Sequence, residues 1–136
     1  MLAGLWRRWR RATLLAAADR YSRQHGIDPR LTRALVYWET RSNPGYPVAT
    51  RERDGTIVYG ISQIKPGTAA QMGWEGENAR ALMGPLGVYY GVRYMAWQRD
   101  RYGGDVRKML SAYNAGTATP ANAAYVDGVL RSIGEL

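Results

Sequence analysis

One glutamate, Glu39, lies where a carboxyl group could transfer protons. It follows Leu31 and Leu35 at intervals of four residues. Ala34 and Trp38 fall beside these leucines, so Glu39 continues an apolar stripe on a predicted helix. A carboxylate among apolar side chains is costly to ionise, and its pKa should therefore rise. We predict that Glu39 is a general acid; the alternative is a boundary residue whose head reaches water.

The helix that must position Glu39 has recognisable limits. Asp28 before Pro29 indicates an N-cap with proline at the first helical position. Asn43 followed by Pro44 is expected to end the helix. After it, Asp54-Gly55 predicts the turn of a short two-stranded ribbon.

The other predicted elements are mostly helical. Helices are expected for the N-terminal segment, Pro66 to Gly73, Ala79 to Met83, Pro85 to Tyr102 (the longest), the stretch between Asp105 and Gly116, and a last segment around Tyr125 to Leu130. At 136 residues the chain predicts one domain, 1–136, of mainly α (α+β) class with one small β-hairpin.

Composition excludes several kinds of chemistry. The sequence has no cysteine and a single histidine, which excludes a thiol nucleophile, a zinc finger and a histidine-rich metal site. That histidine, His25, precedes Gly26 and is expected to cap a helix end rather than catalyse. Apolar residues make up 46% of the sequence, and no continuous apolar run is long enough to span a membrane. The formal charge of +8 suits a polyanionic surface such as nucleic acid, anionic lipid or bacterial cell wall.

Residues 1–12 form a basic amphipathic segment. Leu2, Leu5, Trp6 and Trp9 recur at helical spacing, with arginines between them. We predict an N-terminal arm that touches a membrane or a partner protein, or a helix that docks on the domain. The apolar run ATLLAAA is at the short limit for a secretory signal. The lack of a convincing signal peptide favours a phage component over an exported bacterial enzyme.

Three short strings occur in order: ETRSNP from Glu39, GISQIKPGTA from Gly60, and AYNAG from Ala112, the last followed by Tyr125-Val126. Together they resemble the lytic transglycosylase domain of the soluble type, a relative of goose-type lysozyme, over about residues 16–130. The resemblance implies a lysozyme-like fold and cleavage of the β-1,4 bond between N-acetylmuramic acid and N-acetylglucosamine in peptidoglycan. It implies no metal and no organic cofactor.

The resemblance also places the family's single catalytic glutamate on Glu39. In the implied mechanism Glu39 protonates the leaving glycosidic oxygen, and the substrate's own N-acetyl group stabilises the positive charge. The same carboxylate then deprotonates the muramoyl 6-hydroxyl, which closes a 1,6-anhydro ring. One residue that serves as acid and then as base suits a pKa near the working pH.

The remaining family positions are expected to bind substrate. Gln63 matches the cleft glutamine, whose amide offers a donor and an acceptor to sugar groups. Tyr113 and Tyr125 match two cleft tyrosines, and Asn114 follows the first of them.

Some positions depart from the family pattern. Ser62 and Lys65 stand where methionine is common, which predicts a more polar subsite floor. Thr50 is the expected substitute for a serine whose hydroxyl holds the catalytic glutamate. Trp38 stands where glutamine is frequent, which predicts a drier site.

Two other functions stay open at this point. A hydrolytic muramidase would use Glu39 with Glu52 or Asp54 of the ribbon as a second carboxylate. A non-catalytic binding or virion protein would act through the 1–12 arm, without specific nucleic-acid recognition. For the enzyme we expect action in the periplasm or cell wall, with peptidoglycan strands as partner and contacts to phage-tail or secretion-machine proteins.

Overall fold

The computed structural model describes residues 2–41 and 49–134. The α-helices of this part are α1 (Leu2–Gln24), α2 (Pro29–Thr40), α3 (Pro66–Gln71), α4 (Pro85–Arg101), α5 (Val106–Ala115) and α6 (Ala123–Ile133). Strands β1 (Ala49–Arg51) and β2 (Ile57–Tyr59) pair antiparallel, and short 3-10 helices cover Ala79–Met83 and Pro120–Asn122. The predicted class, mainly helical with one small hairpin, is confirmed.

Helix α2 begins where the sequence predicts. The side chain of Asp28 accepts a hydrogen bond from the Arg30 backbone N–H, and Pro29 occupies the first turn. The helix ends at Thr40, with Arg41 as C-cap. The predicted stop at Asn43–Pro44 lies outside the described residues.

The core forms where α2 packs between α1 and α6, and α4 packs on α1 and α5. The fully buried side chains include Leu14, Leu35, Ile61, Met95, Met109 and Leu110. A buried hydrogen bond of 2.6 Å between Ser22 and Thr32 and a 2.8 Å ion pair between Arg33 and Asp19 join α1 to α2. These contacts fix the helix that carries Glu39.

The prediction that α4 is the longest helix is wrong. Helix α1 has 23 residues and α4 has 17. The predicted arm continues without a break into the buried part of α1, because no proline interrupts the segment and Gly4 is tolerated. His25 stands at the end of α1, where its Nδ1 donates to the Tyr21 carbonyl at 2.8 Å. This contact confirms the expected capping role.

The first turns of α1 extend away from the core. Leu2, Leu5 and Trp9 are 84%, 57% and 62% exposed. Arg11, by contrast, reaches the end of α2 and donates to the Thr40 hydroxyl at 3.2 Å. In the part of the chain that the structure describes, no helix is both long and apolar enough to cross a bilayer.

The hairpin leads directly into a tight turn beside α2. Thr50 pairs with Val58, and the Asp54 carboxylate accepts from the Thr56 N–H at 2.9 Å, as the turn prediction requires. After β2, Tyr59 and Ile64 exchange two backbone hydrogen bonds. The turn between them contains Gln63.

Candidate active site

Glu39 lies in the last turn of α2 and is partly buried. Burial raises its pKa to about 7, from a usual value of 4.5, and the charge of Glu52 adds to the rise. A 2.6 Å hydrogen bond from the Tyr125 hydroxyl to Oε1, and the charge of Arg41, act in the opposite direction. The pKa rise predicted from the apolar stripe is therefore found, and near neutral pH both protonation states of Glu39 are populated.

Two cavities border this carboxyl group. The first cavity, about 160 Å³, is lined by Glu39, Glu52, Val58, Gln63, Ile64, Lys65, Thr68, Tyr94, Tyr113, Asn114, Ala115 and Gly116. The second cavity, about 490 Å³, is lined by Trp38, Glu39, Arg41, Glu52, Asn114, Ala124, Tyr125 and Arg131. The structure thus brings Glu39 together with four predicted site residues: Gln63, Tyr113, Asn114 and Tyr125.

Gln63 is held in an unusual backbone conformation. Its φ of +51° is in the left-handed region, where residues other than glycine are uncommon. The Gln63 N–H donates to the Gly60 carbonyl at 3.1 Å, and its side-chain amide donates to the same oxygen at 2.9 Å. The amide oxygen accepts no hydrogen bond among the described residues, so it is available to a ligand in the first cavity.

The two tyrosines near Glu39 differ in their bonding. Tyr125, on α6, donates to the carboxylate itself. Tyr113, on α5, donates at 2.7 Å to the Ser62 carbonyl of the tight turn. Burial, followed by the charge of Glu39, raises the pKa of both phenols well above the usual value. Both tyrosines are therefore neutral donors at any working pH, one to the carboxyl group and one to the loop beside it.

Asn114 is placed by the end of α5 and by the loop that follows. The helix ends at Ala115, and its C-cap Gly116 has a positive φ. The buried Gln98 amide donates to the Gly116 carbonyl at 3.2 Å, and Asn122 donates to the Asn114 side chain at 3.0 Å. Asn114 is exposed and lines both cavities.

Ser62 and Thr50 line neither cavity, so the structure does not bring them together with the other predicted site residues, and their contact with substrate stays a prediction. Ser62 is buried, and its hydroxyl donates to the Gly87 carbonyl at 2.9 Å. It packs on α4, where a Cβ on Gly91 would lie 2.6 Å from the Ser62 Cβ. The turn directs Ser62 inward and Gln63 toward the cavity. Thr50 is exposed on β1, and Tyr125 forms the hydrogen bond to Glu39 that was expected from Thr50.

Sequence reasoning missed the basic side of the site. Arg41 and Arg131 line the second cavity; Arg41 lies in the first family string but received no predicted role, and no motif included Arg131. Arg41 follows Glu39 by two residues, which was the available signal. Glu52, considered only for a rival mechanism, lines both cavities, whereas Asp54 lines neither. Among the described residues, no group of acidic or histidine side chains could hold a metal ion.

Comparison with known proteins shows the family of the chain. The family model described as "Transglycosylase SLT domain" matches residues 16–128. A transglycosylase of Enterobacteria phage PRD1 is 33% identical over 96 residues, which are 71% of this chain and 32% of the relative. The chain therefore spans about a third of the length of that relative.

A solved structure shares the fold. It is the X-ray structure of the lytic transglycosylase Slt of Pseudomonas aeruginosa, in an inactive glutamate-to-glutamine variant. The TM-score is 0.63 at 19% identity, over 87% of this chain and 20% of that chain. The likeness confirms the lysozyme-like fold.

Proposed function

Because the chain belongs to the transglycosylase SLT domain family, we propose that it is a lytic transglycosylase with Glu39 as its catalytic residue. The substrate is the β-1,4 bond between N-acetylmuramic acid and N-acetylglucosamine in peptidoglycan, and the product ends in 1,6-anhydro-N-acetylmuramic acid. The observation that carries the proposal is the Glu39 carboxyl, which has a pKa of about 7 and borders two cavities.

Glu39 acts first as an acid. The neutral carboxyl donates its proton to the glycosidic oxygen, and the C–O bond breaks as the N-acetyl group of the muramoyl sugar stabilises the positive charge. The Tyr125 hydroxyl, 2.6 Å from Oε1, fixes the orientation of the carboxyl group and stabilises the carboxylate that forms. Gln63 and Asn114 offer amide groups to the sugar hydroxyl and acetamido groups.

Glu39 then acts as a base. Its carboxylate takes the proton of the muramoyl 6-hydroxyl, whose oxygen attacks C1 and closes the anhydro ring. The carboxyl group is neutral again, so the cycle leaves the enzyme unchanged. The related Slt, which is inactive when a glutamate is replaced by glutamine, supports a mechanism in which one carboxyl group is indispensable.

The test is mass spectrometry of the fragments released from purified peptidoglycan. The unaltered protein should release fragments ending in anhydromuramic acid, which are lighter by one water than reducing fragments. Glu39→Gln should reduce this release about 10³-fold. Glu77→Gln is the matched control, because Glu77 is exposed and lines neither cavity. Equal release by both variants would contradict the role of Glu39.

A hydrolytic muramidase is the second candidate. Glu52 lines both cavities beside Glu39, and its charge raises the Glu39 pKa. A carboxylate in that place could activate a water molecule. Fragments with reducing ends that disappear in Glu52→Gln would favour this mechanism. Asp54 is a poor base for it, because its carboxylate accepts from Thr56 in an exposed turn.

The setting of the activity is also a proposal. The phage relative supports a role in local opening of the cell wall by a phage particle, with action in the periplasm or wall. The exposed apolar side chains of the first turns of α1, flanked by arginines, support contact with a membrane or a particle protein through the 1–12 arm.

A further inference from the structure

The two cavities differ in charge. Glu39, Glu52 and Asn114 line both of them, so the two carboxyl groups lie where the cavities meet. Arg41 and Arg131 line the second cavity alone. The second cavity therefore shares two carboxyl groups with the first cavity and adds a basic wall formed by Arg41 and Arg131.

The Arg41 side of this wall is fixed in place. The guanidinium lies over the Trp38 indole, 3.5 Å from the ring centroid, and Nη1 donates to the Trp38 carbonyl at 2.6 Å. The indole in turn lies against α6, where a Cβ on Gly128 would come within 2.2 Å of it. A stacked guanidinium keeps the other edge of its plane available to an anion.

Arg131 is the second arginine of the basic wall. It lies in the last turn of α6 and is exposed. Within residues 2–41 and 49–134 its guanidinium has no hydrogen-bond or ion-pair partner. Four other arginines of the described residues pair with aspartates: Arg30, Arg33, Arg99 and Arg107. Toward the described residues, Arg131 thus keeps its donors unpaired at the cavity.

We propose that the second cavity binds a carboxylate of the peptide carried by the muramoyl sugar, and that Arg131 determines this preference. The proposal rests on the proposed function. The peptide is attached to the sugar whose bond Glu39 breaks, so it must leave the site beside Glu39. The sugar itself is neutral and needs no guanidinium, whereas the planar fork of arginine matches a carboxylate.

The test compares two preparations of the same glycan strands. One keeps its peptide carboxylates, and in the other a carbodiimide and ammonia convert them to amides. For the unaltered protein we expect KM to be about fivefold higher on the amidated strands, with kcat little changed. Arg131→Gln should show the higher KM on both preparations. Arg80→Gln, which removes an exposed positive charge that lines neither cavity, should keep the preference.

Two results would overturn the subsite. One is an unchanged preference in Arg131→Gln, and the other is a loss of kcat on both preparations alike, which would indicate a structural role. Binding of both preparations to Glu39→Gln needs no turnover and separates the two proposals. If the unaltered protein cleaves neither preparation but Glu39→Gln still binds the carboxylate form more tightly, the proposed function fails and the subsite stands. Equal binding would refute the subsite.

Discussion

The end of α2 and the beginning of α1 break the usual pattern of burial in opposite ways. At the end of α2 a carboxyl group lies among buried groups, whereas at the start of α1 apolar side chains lie in water. Contacts from α6 and the hairpin surround Glu39, but Leu2, Leu5 and Trp9 are mostly exposed. The burial of Glu39 depends on contacts from several elements of the fold, whereas the exposure of the apolar side chains at the start of α1 depends only on that helix. Substitutions at the two ends should therefore differ in their effects.

The largest effect is expected at Glu39. Loss of its proton transfer in Glu39→Gln should lower the rate of fragment release about 10³-fold. Release is measured by mass spectrometry or by loss of turbidity of isolated cell walls. A circular dichroism spectrum like that of the unaltered protein is the control for folding. A residual rate within tenfold would mean that the chemistry resides elsewhere.

The same substitution should change stability with the opposite sign. The folded-state pKa of Glu39 is raised, so its ionisation costs folding free energy: stability is full below about pH 4.5 and is lost as pH rises through about 7. Above pH 8 we expect Glu39→Gln to be more stable than the unaltered protein by on the order of 2 kcal/mol. Urea unfolding at pH 5 and pH 8 measures this difference. An equal difference at both pH values would contradict the burial of the charge.

A side chain added to α6 at Gly128 should displace Trp38, which lines the second cavity. In Gly128→Val the new atoms would meet the Trp38 indole, which must move or strain the α2–α6 contact. We expect a loss of about 1–3 kcal/mol in the free energy of unfolding. Gly104→Val is a poor control because of its positive φ, whereas Gly67→Val adds a side chain where nothing lies within 4 Å. Similar losses in both variants would contradict the packing argument.

Smaller changes should move the pH profile of kcat/KM. Activity should fall above about pH 7, because the acid form of Glu39 is lost. Tyr125→Phe removes a donor to the carboxylate and should shift this limb to higher pH. Glu52→Gln removes a like charge and should shift it to lower pH. If both variants shifted the alkaline limb in the same direction, the limb would not report the ionisation of Glu39.

The smallest effect is expected at the start of α1. Replacing Leu2, Leu5 and Trp9 together by glutamine should change the free energy of unfolding by less than about 1 kcal/mol, because these side chains are already exposed. Cleavage of isolated cell wall should also be retained. A loss of wall cleavage would show that the exposed turns take part in binding the substrate, and would end the contrast between the two regions.

The same contrast shows what could be predicted from the sequence. Asp28, the Asp54-Gly55 turn and the stripe that ends at Glu39 are local signals, and each was found. The family strings also placed Gln63 and Tyr113 at the cavity. These features depend on residues close in the chain or on an ordered motif.

Contacts between distant residues escaped prediction. Tyr125 is 86 residues from Glu39, so its hydrogen bond could not be read from helix periodicity. Ser62 and Gln63 are neighbours, and only the conformation of the turn decides which one faces the cavity. The basic wall was not predicted, because only the packing of α6 on α2 brings Arg131 near Glu39.

The contact between Trp38 and Gly128 has a consequence for the history of the family. The indole leaves no space for a Cβ on α6 at that point, so Gly128 cannot gain a side chain while Trp38 stays in place. Relatives with a smaller side chain at the position of Trp38 have no such restriction. Across many sequences the two positions should therefore covary, with tryptophan at one accompanied by glycine at the other.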